Sequence, residues 1–246
     1  MANGTSPAAW SRRRCSRRSS AGRAAAPKRC GVPDCESRPR VFLALSFSRS
    51  NFLLGIATLS MALKSTVFKA ELQVADMDRA HYGTHALTLA QHPSENDERM
   101  MVRLLAYALH AEGEDQAPLS FANAMTEMDE PDLWRRSLVG DIELWVDVGQ
   151  PEEKWVRKAS HRSREVVLYI YGRNGSLWWG QNRGPLEKLA NLRVRQVPAE
   201  ASTALALLAR RSMRLQCTVQ DGTVWLGDGD ATVEVELVEL KEAVLR

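Results

Sequence analysis

The segment Val166 to Tyr171 is a nearly continuous apolar run, and a strand of that composition requires cover on both of its faces. Upstream, between Asp141 and Gly149, the residues Ile142, Leu144, Val146 and Val148 face one way. Asp141, Glu143, Trp145, Asp147 and Gly149 face the other, which is the period of a strand with two unlike sides. Pro151 then suits the first turn of a helix that carries Trp155, Val156 and Ala159 inward, with Lys154, Arg157 and Lys158 around it. Strand, helix and strand in that order predict a parallel crossover, and therefore an α/β fold.

The flanking segments add to that unit. Phe68, Ala70, Leu72 and Val74 alternate with Lys69, Glu71 and Gln73. After a loop from Ala75 to Gly83, His85 to Ala90 reads as the hairpin partner. A helix is expected to start at Ser94, with Ser94 and Asp97 at capping-box spacing and Met101, Leu104, Leu105 and Ala108 as its buried stripe. Arg99 and Arg103 then point away from the sheet, and Glu98 falls on the apolar side. Leu119 to Ala122 is a weak strand; a helix around Gly184 to Ala190, a strand Leu192 to Val197 and a helix Glu200 to Arg211 follow. Met213 to Val219 and Thr223 to Leu226 flank Asp221-Gly222, a short-hairpin signal, and Thr232 to Leu240 supplies a last strand. The expected fold is a mixed β-sheet flanked by helices, with an N-terminal hairpin and a C-terminal β-meander, in one domain from Met61 to Arg246.

Charge divides the chain at that same boundary. Eleven of the 33 Lys and Arg but only two of the 30 acids lie in residues 1–60, so the formal +3 conceals a segment near +9 and a domain near −6. The Arg-rich run Ser11 to Arg40 has no helical or strand period and reads as a disordered basic leader. Its apolar patch, Val41 to Leu45 and Asn51 to Leu59, is too interrupted to span a membrane. A cleaved export signal fits such a prelude poorly, and mitochondrial-type targeting fits somewhat better. An upstream translation start ahead of Met61 is the preferred account. Cys15, Cys30 and Cys35 lie in the leader and only Cys217 in the domain, which leaves no disulfide framework there and suits a reducing, cytoplasmic setting.

Common catalytic signatures are absent. The chain has no Gly-rich phosphate loop before Lys-Ser, no nucleophile elbow around a serine and no dinucleotide fingerprint. Of the five histidines, His81 and His85 have i, i+4 spacing, but in a loop-to-strand stretch rather than on the helix that two helical zinc ligands need.

Several blocks in order carry a family resemblance: His92-Pro93-Ser94-Glu95, Glu98-Arg99-Met100, Asp129-Glu130-Pro131 with Leu133-Trp134, Leu144 to Gly149 with Pro151, and Arg157-Lys158-Ala159-Ser160. Together they resemble the YaeQ family over essentially all of Met61 to the C-terminus. The resemblance implies a variant of the PD-(D/E)XK nuclease fold, in which a helix acid and two strand acids hold Mg²⁺ and a lysine assists the attacking water. Carried over, the helix acid is Glu98 or Glu95, the first strand acid Glu130 or Asp129, and the acid of the last motif Asp147. Two residues beyond Asp147, where the motif has lysine, stands Gly149, and the nearest substitute is Lys158 on the following helix.

Plainer roles compete for each residue. Glu95 has the spacing to pair with Arg99, Glu98 favours a helix start, Asp129 and Glu130 suit a solvated turn, and Lys158 sits among basic neighbours. The acidic domain lacks the general positive field that drives phosphate-backbone binding. Arg157, Lys158 and Arg162 nevertheless form a local basic patch able to meet nucleic acid. The resemblance thus implies either a Mg²⁺-dependent phosphodiesterase acting on nucleic acid or an inactive relative that binds nucleic acid or a protein partner.

Overall fold

The computed structural model describes residues 65–113, 117–122 and 130–244; the leader and Asp129 lie outside them. In chain order the strands and helices are β1 (Thr66–Asp76), β2 (His81–Gln91), α1 (Asp97–His110), β3 (Leu119–Phe121), β4 (Leu133–Arg136), β5 (Ile142–Val148), α2 (Glu153–Arg162) and β6 (Ser163–Ile170). They continue with α3 (Gly175–Leu186), β7 (Leu192–Gln196), α4 (Ala199–Ala206), β8 (Ser212–Gln220), β9 (Thr223–Gly227), β10 (Thr232–Glu236) and β11 (Val238–Lys241).

Two mixed sheets result, where the sequence pattern suggested one. The N-terminal hairpin and the C-terminal meander join as β10-β9-β8-β1-β2, with β1 and β8 parallel. The second sheet runs β11-β7-β6-β5-β4-β3, parallel across β5, β6 and β7. Strand β6 is central there and carries the expected crossover through α2. Its Val167 and Tyr169 face one hydrophobic core, and Val166, Leu168 and Ile170 face the other.

The first core contains the inner faces of both sheets together with α1, and the second is closed by α2 and α3. Every residue of α1 from Met100 to Leu109 is buried, Arg103 included. A helix covered on all sides belongs to an interior layer, so α1 is a filling between two sheets and not the surface cover that a single apolar stripe implied. Its cap also differs from expectation: the Asn96 side chain accepts the Arg99 backbone N–H at 2.9 Å, while the Ser94 hydroxyl lies 2.6 Å from His92 Nδ1.

Three further departures have local causes. Helix α3 begins at Gly175, well before the expected Gly184, because burial of Trp179 and Leu186 overrides a glycine-rich sequence of poor helix propensity. The segment Thr232 to Leu240 is two strands, β10 pairing with β9 in the first sheet and β11 with β7 in the second. Opposite Arg135 and Arg136, β5 holds one extra residue at Glu143, so Ile142 packs on the same side as Trp145 instead of with Leu144. The Asp221-Gly222 hairpin forms as expected, both residues at positive φ, and the Asp78 carboxylate accepts both of their backbone N–H groups. Among the described residues no helix is long and apolar enough to cross a membrane.

Candidate functional site

Beyond the carboxyl ends of β5 and β6, at the first turn of α1, lies a pocket of about 800 Å³. Crevices at that end of parallel strands are the usual ligand sites of α/β sheets. Glu95, Glu130, Asp132 and Asp147 line it, opposed by Arg99 and Arg103, and Trp155 and Tyr171 supply aromatic walls.

Strand pairing creates the central feature. Leu133 pairs with Val146 at the end of the antiparallel register of β4 and β5, and Asp132, just before it, lies beside Asp147, close enough for its carboxylate and its backbone N–H both to act on the Asp147 carboxylate. The Asp132 N–H donates to the Val146 carbonyl at 3.0 Å, and the Val148 N–H donates to Asp132 Oδ2 at 2.8 Å, which fixes the pair. Like charges so placed destabilise one another. Asp147 is only 8% exposed, and Trp145 Nε1 donates to its Oδ2 at 2.9 Å. Burial first, then the neighbouring Asp132 carboxylate, push its pKa up to about 7 against the pull of hydrogen bonds from Trp145, the Asp132 backbone and Trp155.

The helix side of the pocket is an ion-pair network. The Glu95 side chain, 3% exposed, lies 3.1 Å from Arg99 Nη1 and 2.9 Å from Arg103 Nε. Arg99 Nη2 also donates to both oxygens of Asp132, each at 2.8 Å. Burial opposes the Arg99 charge, but Asp132 and Glu95 outweigh it and raise its pKa. Glu95 and Asp132 therefore share cations, whereas Asp147 is held by indole N–H groups.

The residues singled out from the sequence separate into groups. Glu95, Glu130 and Asp147 reach the one pocket. Glu98 turns instead toward α4, where the Ser202 hydroxyl donates to its Oε1 at 2.6 Å. Asp129 lies outside the described residues. Lys158 stands 5.5 Å from the centre of the Trp155 ring and does not line the pocket; Arg162 covers Trp145 at the same distance. The two tryptophans meet edge to face at 6.0 Å, so these cations back the indoles that hold Asp147. Arg157 pairs with Glu153 one turn away. The glycine in the lysine's place, Gly149, has φ +119°, where any L side chain is strained, so the backbone itself disfavours lysine there.

Sequence reasoning missed Asp132, Arg99 and Arg103. The available signal was the pair of arginines four apart on a helix with few exposed positions, since buried guanidiniums require carboxylates. Asp132 stood between two quoted motif residues, Pro131 and Leu133.

Among the described residues no group of three or more His, Cys, Asp and Glu side chains is arranged to hold a metal ion. A two-carboxylate donor set is present. Mg²⁺ commonly takes one or two carboxylates and completes its shell with water and substrate phosphate, so Asp147, with Asp132 beside it and already paired with Arg99, fits that ion as a pair of hard oxygen donors.

Comparison with known proteins agrees with the sequence blocks. A family model described as YaeQ protein matches residues 61–237. The chain is 41% identical over 178 residues to YaeQ of Escherichia coli (strain K12) and 40% identical to YaeQ of Salmonella typhi, covering 72% of this chain and 96% of each relative. The crystal structure of YaeQ from Xanthomonas axonopodis pv. citri matches with a TM-score of 0.68 at 45% identity, covering 74% of this chain and all of that one. That of YaeQ from Pseudomonas syringae gives 0.67 at 35%, covering 72% and 97%. The family match spans every strand but β11 together with the residues of the pocket, and the chain belongs to the YaeQ family.

Proposed function

We propose that the domain from Met61 to Arg246 is a divalent-metal-assisted phosphodiester hydrolase acting on nucleic acid, built on a PD-(D/E)XK-type core, with Asp132 and Asp147 as the metal-holding pair. The observation that carries this reading is the side-by-side placement of the two carboxylates in a polar pocket, Asp147 buried and, among the described residues, with no cation paired to it. A bound Mg²⁺ supplies an acidified water and a counter-charge for phosphate.

This chain's own residues do the rest. Trp145 orients the Asp147 carboxylate through its indole N–H. Arg99 fixes Asp132 and, standing in the pocket wall, is the cation available to a phosphate oxygen in a site whose motif lysine is absent. Glu95 anchors Arg99 and Arg103 and so ties the first turn of α1 to β4. The test is cleavage of single-stranded and duplex DNA and RNA with Mg²⁺ or Mn²⁺. Activity is expected to vanish with EDTA and with Asp132→Asn or Asp147→Asn. Absence of cleavage on all substrates, or cleavage indifferent to both substitutions, overturns the reading.

A second reading draws on Arg99, whose guanidinium takes both oxygens of Asp132. In it the arginine is the permanent counter-ion, and the domain binds nucleic acid or a protein partner without hydrolysis. Binding that survives EDTA and Asp147→Asn, with no turnover, identifies that case.

A further inference from the structure

At the opposite side of the first sheet from β10, edge strand β2 carries two histidines, His81 and His85, on one face. Four residues of strand span about 13 Å, yet the two rings lean together until their Nε2 atoms are 3.4 Å apart and their centroids 5.7 Å. Gly83 between them makes this approach feasible. A Cβ at that position would lie 3.2 Å from His85 Nε2 and 3.5 Å from His81 Nε2, within the space where the rings meet.

The separation favours one interpretation over another. A shared proton calls for an N···N distance nearer 3 Å, and 3.4 Å is long for it. Two imidazoles on one tetrahedral Zn²⁺, at Zn–N of about 2.05 Å, place their nitrogens about 3.3 Å apart. The remaining ring nitrogen of His85, Nδ1, is 3.5 Å from the Tyr107 hydroxyl, and Tyr107 is itself stacked on Phe121 at 5.3 Å. An oxygen behind the second nitrogen is what orients metal-binding histidines.

We infer that His81 and His85 form a two-imidazole site for a borderline divalent transition metal ion such as Zn²⁺ or Ni²⁺, its other positions filled by water. The site is separate from the acidic pocket, whose oxygen donors select harder cations. It does not depend on the proposed hydrolase activity.

Titration of the full chain with Ni²⁺, and separately Zn²⁺, followed by calorimetry and by imidazole ring NMR, tests the inference. Ring resonances of His81 and His85 are expected to move first, ahead of those of His92, His110 and His161. The double variant His81→Gln/His85→Gln should lose one equivalent of uptake, which separates this site from any binding by Cys15, Cys30 and Cys35. Gly83→Ala, which keeps both ligands but fills the gap, should weaken binding at least about tenfold. Equal uptake by wild type and double variant, or unmoved His81 and His85 resonances at saturating metal, overturns it.

Discussion

Both ends of the buried helix α1 meet charged side chains, and the two clusters are built differently. At its C-terminal end, Arg135 pairs with Glu112 at 2.9 Å and Arg195 with Glu239 at 2.8 Å, each cation with its own carboxylate. His110 Nε2 there contacts the Tyr169 hydroxyl at 2.9 Å, and burial together with nearby arginines lowers the His110 pKa to about 3, so the ring stays neutral. At the N-terminal end four carboxylates line one pocket against two guanidiniums, and two of the carboxylates lie side by side. The first cluster lines a smaller pocket, of about 330 Å³, and pairs its charges one to one. The second keeps Asp147 buried at its pocket with no paired cation among the described residues, which costs stability and is the arrangement expected where a site serves a ligand.

The contrast can be broken most directly at Arg103. Arg103→Met leaves the buried Glu95 carboxylate with Arg99 alone and should lower stability by about 1–3 kcal/mol in urea unfolding, the cost of a buried acceptor that loses a charged donor. Arg195→Met, at the more exposed pair on the other end, should cost no more than about 1 kcal/mol. Equal losses would show that the two clusters do the same structural job.

Stability against pH, measured in EDTA, sharpens the comparison further, because the two ends should give slopes of opposite sign. The folded pKa of His110 lies below its unfolded value of 6.5, so the unfolded state binds more protons between about 3 and 6.5, and stability falls as pH drops through that window. The folded pKa of Asp147 lies above its unfolded 3.8, so the folded state binds more protons between about 4 and 7, and stability falls as pH rises through that window. Each limb should be on the order of a few kcal/mol. His110→Gln should remove the first and Asp147→Asn the second.

Activity gives the next contrast. Asp147→Asn should reduce metal-dependent cleavage by at least about 100-fold, the upper range for groups that merely support metal ligands, while leaving the protein more stable above pH 7. A variant that loses activity and stability together would mark Asp147 as structural. The smallest effect is expected at Lys158→Ala, where loss of one cation–π contact to Trp155 is worth about 0.5–1 kcal/mol and a two- to fivefold change in rate. A far larger loss would restore to Lys158 the catalytic role suggested by the nuclease motif.

Much of the fold was legible along the chain. The alternation in β1 and, from Leu144 onward, in β5, the apolar run of β6 and the Asp221-Gly222 turn depend on periods of two residues and on the backbone freedom of one glycine, all local properties. Helix α1 was legible as a helix but not as an interior one, because Arg99 and Arg103 read as solvent-facing until their carboxylates are known. The site was half legible: Glu95, Glu130 and Asp147 could be named, but Glu98 was indistinguishable from Glu95 by spacing, and Asp132 carried no signal apart from its pairing.

The sequence by itself determined the element types, the crossover and the membership of a family, since each is encoded in residues close together or in motifs kept in order. Tertiary structure decided which charges meet. Arg99 finds Asp132 across 33 residues, Glu98 finds Ser202 across 104, and Asp132 comes beside Asp147 only because the chain before β4 runs on along β5. Those contacts depend on the relative placement of whole sheets and helices, and no period in the chain encodes it.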